Sequence, residues 1–373
     1  MRLCSLLVLL PILSCAGLLT AQDKTPAFGD LYSKLRTYPS DPCDGSWDAE
    51  SGKLEEQLLL ATDERIRSAL NTDLTYDGAP QRARAVLTEL ASRIGRPGVS
   101  TGKAALFESD VLALEPMVVV KLRVRTHDAF VAYALTEETW PKKHTEWHAV
   151  ASSLYDDPVP WTQIEVRPLK AGPAAHTRFL AVIHFGGCAG SSGIRYRGYQ
   201  WDPETGVDMA DSILELDGAV GMDPQPGSVT KKNPFPTIGT LGTSGSRITL
   251  PYCIWSGMDW WDNPSLCLVD TFDMGGDMPR FVSRRYNRPE LVPIAKAIEY
   301  TKKHELPELR AFCASNEVAE RLLAQGRLGG PGASDPEVTV LAPGRKRVHM
   351  EEGGTFLLVL RGQRWLITGY SAD

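Results

Sequence analysis

The pattern that most restricts this chain lies between residues 110 and 286. Apolar residues recur there at strand spacing, in about nine or ten short segments bounded by turn residues, with no long helix between them. Parallel neighbours need a crossover of about a dozen residues or more, usually helical, so strands joined this briefly have to pair antiparallel. Val118-Val119-Val120 opens as a buried run, Lys121-Leu122-Arg123-Val124 then alternates, and Ala129 to Leu135 is the expected partner. Gln163 to Val166 and Arg178 to Phe185 continue the series. Ile194 to Trp201 and Val207 to Leu216 flank Asp202-Pro203-Glu204-Thr205-Gly206, a hairpin signal. Arg247 to Leu250, Leu266 to Phe272 and Arg280 to Val282 close it. The expected class is α+β with an antiparallel β-rich core: a meander, a sandwich or a partial propeller. No repeat of about 40–50 residues recurs, which counts against a regular propeller.

Helical periods flank this region. Residues 22–52 are polar and without a period, and are expected to form a linker. Residues 53–109 are expected as a helical segment. Leu58, Ala61, Ile66 and Leu70 share a broad apolar face, and Val86, Leu87, Leu90 and Ile94 stripe a second helix from about Pro80 to the stop at Gly95. Residues 287–373 predict a C-terminal two-helix plus β-hairpin segment. Arg288-Pro289-Glu290 opens a helix carrying Leu291, Ile294, Ala295 and Ile298, and Lys302, Lys303 and His304 close it. A second helix ends at Gly326, three or four strands follow a Gly/Pro-rich loop, and in the last pair Phe356 to Leu360 meets Trp365 to Thr368 through a tight turn at Gly362.

Residues 1–21 have the grammar of a signal peptide. Arg2 precedes an apolar stretch from Leu3 to Leu19, and Leu19-Thr20-Ala21 is a small-residue cleavage site ahead of Gln22. Ile12-Leu13-Ser14-Cys15 also resembles a bacterial lipobox. The expected location is therefore secreted or periplasmic, with a lipid-anchored envelope protein via Cys15 as the alternative. No later apolar run approaches the length of a bilayer span, so no transmembrane span is expected after processing. The 40 basic against 46 acidic residues leave a net charge of −6, which offers no general attraction to nucleic acid.

Cleavage after Ala21 would leave Cys43, Cys188, Cys253, Cys267 and Cys313. Disulfides are permitted in an exported chain, and Cys253 with Cys267 closes a short loop, so these two are the expected pair. Cys313 lies in a helical pattern beside Leu309 and Phe312 and is expected as a buried free thiol. The connectivity of Cys43 and Cys188 stays open.

Four clusters have residue types that suit chemistry. Gly186-Gly187-Cys188-Ala189-Gly190 has the form of a nucleophile elbow, with His184 nearby as a base. An elbow leads into a helix, however, and Ile194 to Arg197 reads as a strand, so a structural cysteine in a Gly-rich loop is expected. His144, Glu146 and His148 share one face of a strand, and His144 and His148 are also neighbours on a helix, so they suit a metal such as Zn²⁺; His184, Asp156 or Asp157 would be the third ligand if Glu146 is not. Trp255, Asp259, Trp260, Trp261 and Asp262 combine flat aromatic faces with carboxylates in the Cys253–Cys267 loop, which suits a carbohydrate or another envelope component. Asp270, Asp273 and Asp277 lack the spacing of a calcium loop and read as turn formers.

No complete catalytic constellation survives its local context. The expected function is a non-catalytic binding or structural role in the cell envelope, with no cofactor. The alternative is an exported hydrolase using a metal at His144, Glu146 and His148, or the carboxylates Asp259 and Asp262.

Overall fold

The computed structural model describes residues 28–38, 49–93, 107–125, 127–138, 144–154, 162–170, 172, 176–186, 192–204, 209–220, 236, 238, 241–256, 258–259, 264–326, 328, 336–351 and 353–372. Its class is α+β, with antiparallel sheets and helices towards both ends. Three helices come first: α1 (Phe28–Leu35), α2 (Ala49–Leu70) and α3 (Ala79–Arg93). The segment expected as a linker thus contains α1 and the start of α2. Phe28, Leu31, Tyr32 and Leu35 fall at helical spacing and are buried, a stripe short enough to be lost in a polar stretch.

The first sheet is a four-stranded meander of β1 (Phe107–Leu114), β2 (Met117–Val124), β3 (His127–Glu138) and β4 (His144–Ser152). It is a central layer. Val118, Val120 and Leu122 of β2 face the helices, with Leu58, Ile66 and Leu90. Met117 and Val119, with Phe130 and Ala132 of β3, face the next sheet. Both faces are buried, which is why β2 opens as an unbroken apolar run rather than an alternating one.

The second sheet has eight strands. β5 (Gln163–Pro168), β6 (Thr177–Gly186), β7 (Ser192–Trp201) and β8 (Asp211–Val220) follow in order. β9 (Gly242–Ser244) forms a hairpin with β10 (Arg247–Ile254), and β11 (Leu266–Asp273) and β12 (Arg280–Tyr286) complete the sheet. Phe179, Ala181 and Ile183 of β6 pack on the first sheet, and Leu180 and Val182 turn the other way, towards Leu250 and Leu268. Buried Arg178 shows that the sheet curls. It sits on β6, yet it donates to the carbonyls of Met274 (2.8 Å), Gly276 (2.9 Å) and Asp277 (2.7 Å), just past β11. In a flat sheet those strands would lie roughly 19 Å apart, further than a side chain reaches. The core is therefore a pair of packed meanders, the second rolled towards closure.

In the C-terminal part the second expected helix is divided into two short ones. A 3-10 turn (Pro289–Leu291) leads into α4 (Val292–Lys303), followed by α5 (Leu306–Arg310) and α6 (Asn316–Ala324). Four strands then form a third meander, whose last pair is the expected hairpin: β13 (Glu337–Ala342), β14 (Arg345–Met350), β15 (Gly354–Arg361) and β16 (Arg364–Ser371). β13 and β14 are rich in polar residues, which hides their alternation. Arg345-Lys346-Arg347 lies in β14, where Lys346 turns inward over the Trp365 ring and pairs with Glu290 at 3.0 Å. Leu291, Ile294 and Phe356 share their core with Leu266 of β11, so this unit packs against one end of the second sheet.

Candidate functional site

That end of the second sheet is where the candidate site forms. The β10–β11 register places Cys253 opposite Cys267, and the two are joined as a disulfide. The strands above the staple open into a loop that Asp259 organises. Its carboxylate accepts from the Ser256 N–H (2.6 Å) and hydroxyl (2.9 Å) and from the Ser265 N–H (2.6 Å). Asp259 is buried, and its oxygens are occupied within the loop, so its role here is to shape the turn rather than to meet a ligand. Trp255 is 45% exposed at the mouth of the loop. Trp260, Trp261 and Asp262 lie outside the described residues.

Beside Trp255 is a cleft of about 530 Å³, within the range of small-molecule sites. One wall comes from the sheet: Ile254, Trp255 and Ser256 at the end of β10, Leu266 of β11 and Tyr286 of β12. The other wall is α4. Val292, Ala295 and Ile298 supply apolar surface, and Lys296, Glu299, Lys302 and Lys303 line the remainder. Ile294, Ala297 and Thr301 point away from the cleft into the C-terminal core, which anchors the helix. The lysines in its last turn suit the negative end of the helix dipole.

Charge in the cleft is unevenly used. Glu299 accepts from Lys296 and from Lys303, each at 2.7 Å. Those two bonds hold its carboxyl below the usual carboxylate range. Lys302 is exposed, and no ion pair to another described residue engages it. Behind the sheet wall, Asp270 is buried and takes both the Arg284 guanidinium (2.7 and 2.8 Å) and the Tyr252 hydroxyl (2.8 Å). Burial, then the hydrogen bond to a carboxylate, pushes the Tyr252 phenol well above its ordinary value. Tyr286 lies near enough to Arg284 to help hold that guanidinium in its charged form.

The other expected clusters fall elsewhere. β4 puts His144, Glu146 and His148 on one face, as the strand period requires. Glu146 Oε1 lies 2.7 Å from His148 Nε2 and 3.7 Å from His144 Nε2, so one carboxylate serves both rings. His184 belongs to β6, paired opposite Gln163, and is not brought to them. Its burial lowers the imidazole pKa, which Glu165 only partly offsets. Among the described residues no group of three His, Cys, Asp or Glu side chains is placed to hold a metal ion. Asp270 and Asp273 are spoken for, by Arg284 and by the Gly275 N–H with Arg280. Cys43, Cys188, Asp156 and Asp157 lie outside the described residues. Cys313 is a buried free thiol whose pKa burial pushes up to about 11.

Of the residues that the sequence singled out for a site, Trp255 lines the cleft; the rest of the sheet wall and the whole helix wall were not among them. Val292, Ala295, Lys296, Glu299 and Lys302 recur at three- and four-residue spacing, so they share a stripe on α4, but the lysines read only as a helix ending. Comparison with protein families, curated proteins and solved structures gives no match. The cleft is therefore interpreted from its own geometry.

Proposed function

We propose that this chain is an exported protein of the cell envelope that binds a ligand in the cleft between the disulfide-stapled end of the second sheet and α4, without transforming it. The observation that carries the reading is the cleft itself: about 530 Å³, walled by Ile254, Leu266, Val292 and the rings of Trp255 and Tyr286. Apolar surface of that shape, kept open rather than collapsed, is the usual form of a small-molecule site. Its acid, Glu299, is tied to two lysines and is poorly placed to act as a general base. Export is supported by the processing signals at residues 1–21 and by the Cys253–Cys267 disulfide, a bond that persists in oxidising compartments.

The cleft is tested with Nile red, a neutral dye that brightens in apolar sites. The full chain is expected to bind it saturably, near one dye per chain. Val292→Trp, at a half-buried position on the cleft wall, is expected to weaken that binding at least about tenfold by filling the space, with an unchanged melting temperature. Equal dye binding by both proteins would sink the proposal.

A further inference from the structure

We infer that the ligand of this cleft is an amphipathic anion: an elongated apolar body ending in a carboxylate or a similar singly charged head. This rests on the binding reading above and adds the chemistry of what is bound. The order of side chains along α4 points to this chemistry. Val292 and Ala295 face the cleft near the start of the helix, and Lys296, Glu299, Lys302 and Lys303 follow towards its end. Lys296 and Ile298 alternate in the middle of this wall, so the cationic character concentrates at the C-terminal end, in Lys302 and Lys303, roughly 15 Å along the helix from Val292 at a rise of about 1.5 Å per residue. The facing wall offers Ile254, Leu266 and two aromatic rings, against which an apolar body can lie.

Charge complementarity decides the head. Three lysines stand against one glutamate in the lining. Glu299 is neutralised by Lys296 and Lys303, which leaves Lys302 as the cation without an ion pair to a described residue. An anionic head gains a charge-assisted partner there. A cationic head meets net repulsion. A sugar, with hydroxyls around its whole rim, would set some of them against Ile254, Leu266, Val292 and Ala295, which offer no hydrogen-bond partner from their side chains.

Displacement of Nile red from the full chain distinguishes these ligands. The competitors are decanoate, decanol and decyltrimethylammonium, which share one apolar chain and differ in the head. Decanoate is expected to displace the dye at about fivefold lower concentration than decanol, with the cation weakest and the advantage shrinking as salt is raised. Lys302→Gln, at an exposed position, is expected to erase the decanoate advantage and leave decanol unchanged. If the three competitors displace equally, or if Lys302→Gln leaves decanoate unaffected, the anion inference is overturned and the cleft stands. If Val292→Trp binds the dye as well as the parent chain, the cleft is not the site and both readings fall.

Discussion

Asp128 is withdrawn from solvent, yet every hydrogen bond that it makes crosses between elements. Its carboxylate accepts from Arg123 on β2, from the Lys121 ammonium at 3.1 Å and from the Ile164 N–H of β5 at 2.9 Å. Its own N–H donates to the Thr162 carbonyl at 3.1 Å. One residue thus ties both sheets together. Asp128→Ala would leave two partly solvated cations and the Ile164 N–H without their partner, and a loss of about 2–3 kcal/mol in urea unfolding is expected. A change under about 1 kcal/mol would show that the junction of the two sheets is held by packing alone. Glu55 on α2 is a second buried carboxylate with a different consequence. It pairs at 3.4 Å with Arg125, which also donates to the carbonyls of Leu35 and Tyr38 at the end of α1. Burial outweighs the arginine and pushes its pKa up from 4.5 to about 7. The folded state therefore holds this proton more tightly than the unfolded one. The contribution is complete below about pH 4.5 and is lost as pH rises to about 7. Between about pH 5 and pH 8, the parent chain should lose on the order of 2 kcal/mol more unfolding free energy than Glu55→Gln. Parallel pH profiles would refute this assignment. Neither role was legible from the sequence, because a carboxylate's burial depends on what folds over it.

At the scale of elements, the staple between β10 and β11 was legible and the helix opposite it was not. Cys253 and Cys267 are separated by 14 residues, so a short closed loop was already the natural pairing. Closing a loop of about fifteen residues is worth about 3 kcal/mol in the chain-entropy view. The double variant Cys253→Ser, Cys267→Ser should unfold at correspondingly lower urea, and peptide mapping of the parent chain should find the two joined. Either cysteine found free in protein recovered from an oxidising compartment would contradict the pairing. β10 also crosses β8 closely. A Cβ on Gly218 would meet the Tyr252 ring at 2.5 Å, so only glycine lets the ring reach Asp270. α1 escaped the sequence reading because two turns of helix leave only four apolar positions, and the polar residues between them dominate a longer window. The strands β13 and β14 were expected in number but not in position, for a related reason. Their inward residues include Lys346, which buries its stem and keeps its charge against Glu290 and Trp365, so polarity alone could not mark the face.

At the scale of the whole molecule, three meanders and two sets of helices are arranged so that the first sheet is covered on both faces and the third packs its helices against the end of the second. The described residues contain no helix long and apolar enough to cross a membrane. Export is tested at the N-terminus of the secreted protein. Mass spectrometry is expected to find Gln22 first, and a diacylglyceryl-modified Cys15 would instead establish a lipid anchor. The sequence by itself determined the antiparallel character of the core, most strand positions, the helices α2, α3 and α4, and the disulfide. All of these follow from short-range causes: side-chain period, turn residues and brief connections. Only the tertiary structure decided that β2 is covered on both sides, that Arg178 closes the curl of the second sheet, and that Asp259 turns inward. It also decided the cleft, whose walls come from residues 254–256, 266, 286 and 292–303. Nothing in the local pattern of either wall specifies the other. They meet because Leu291 and Ile294 bury themselves in the C-terminal core alongside Leu266, and that burial leaves the opposite stripe of α4 standing across from Trp255.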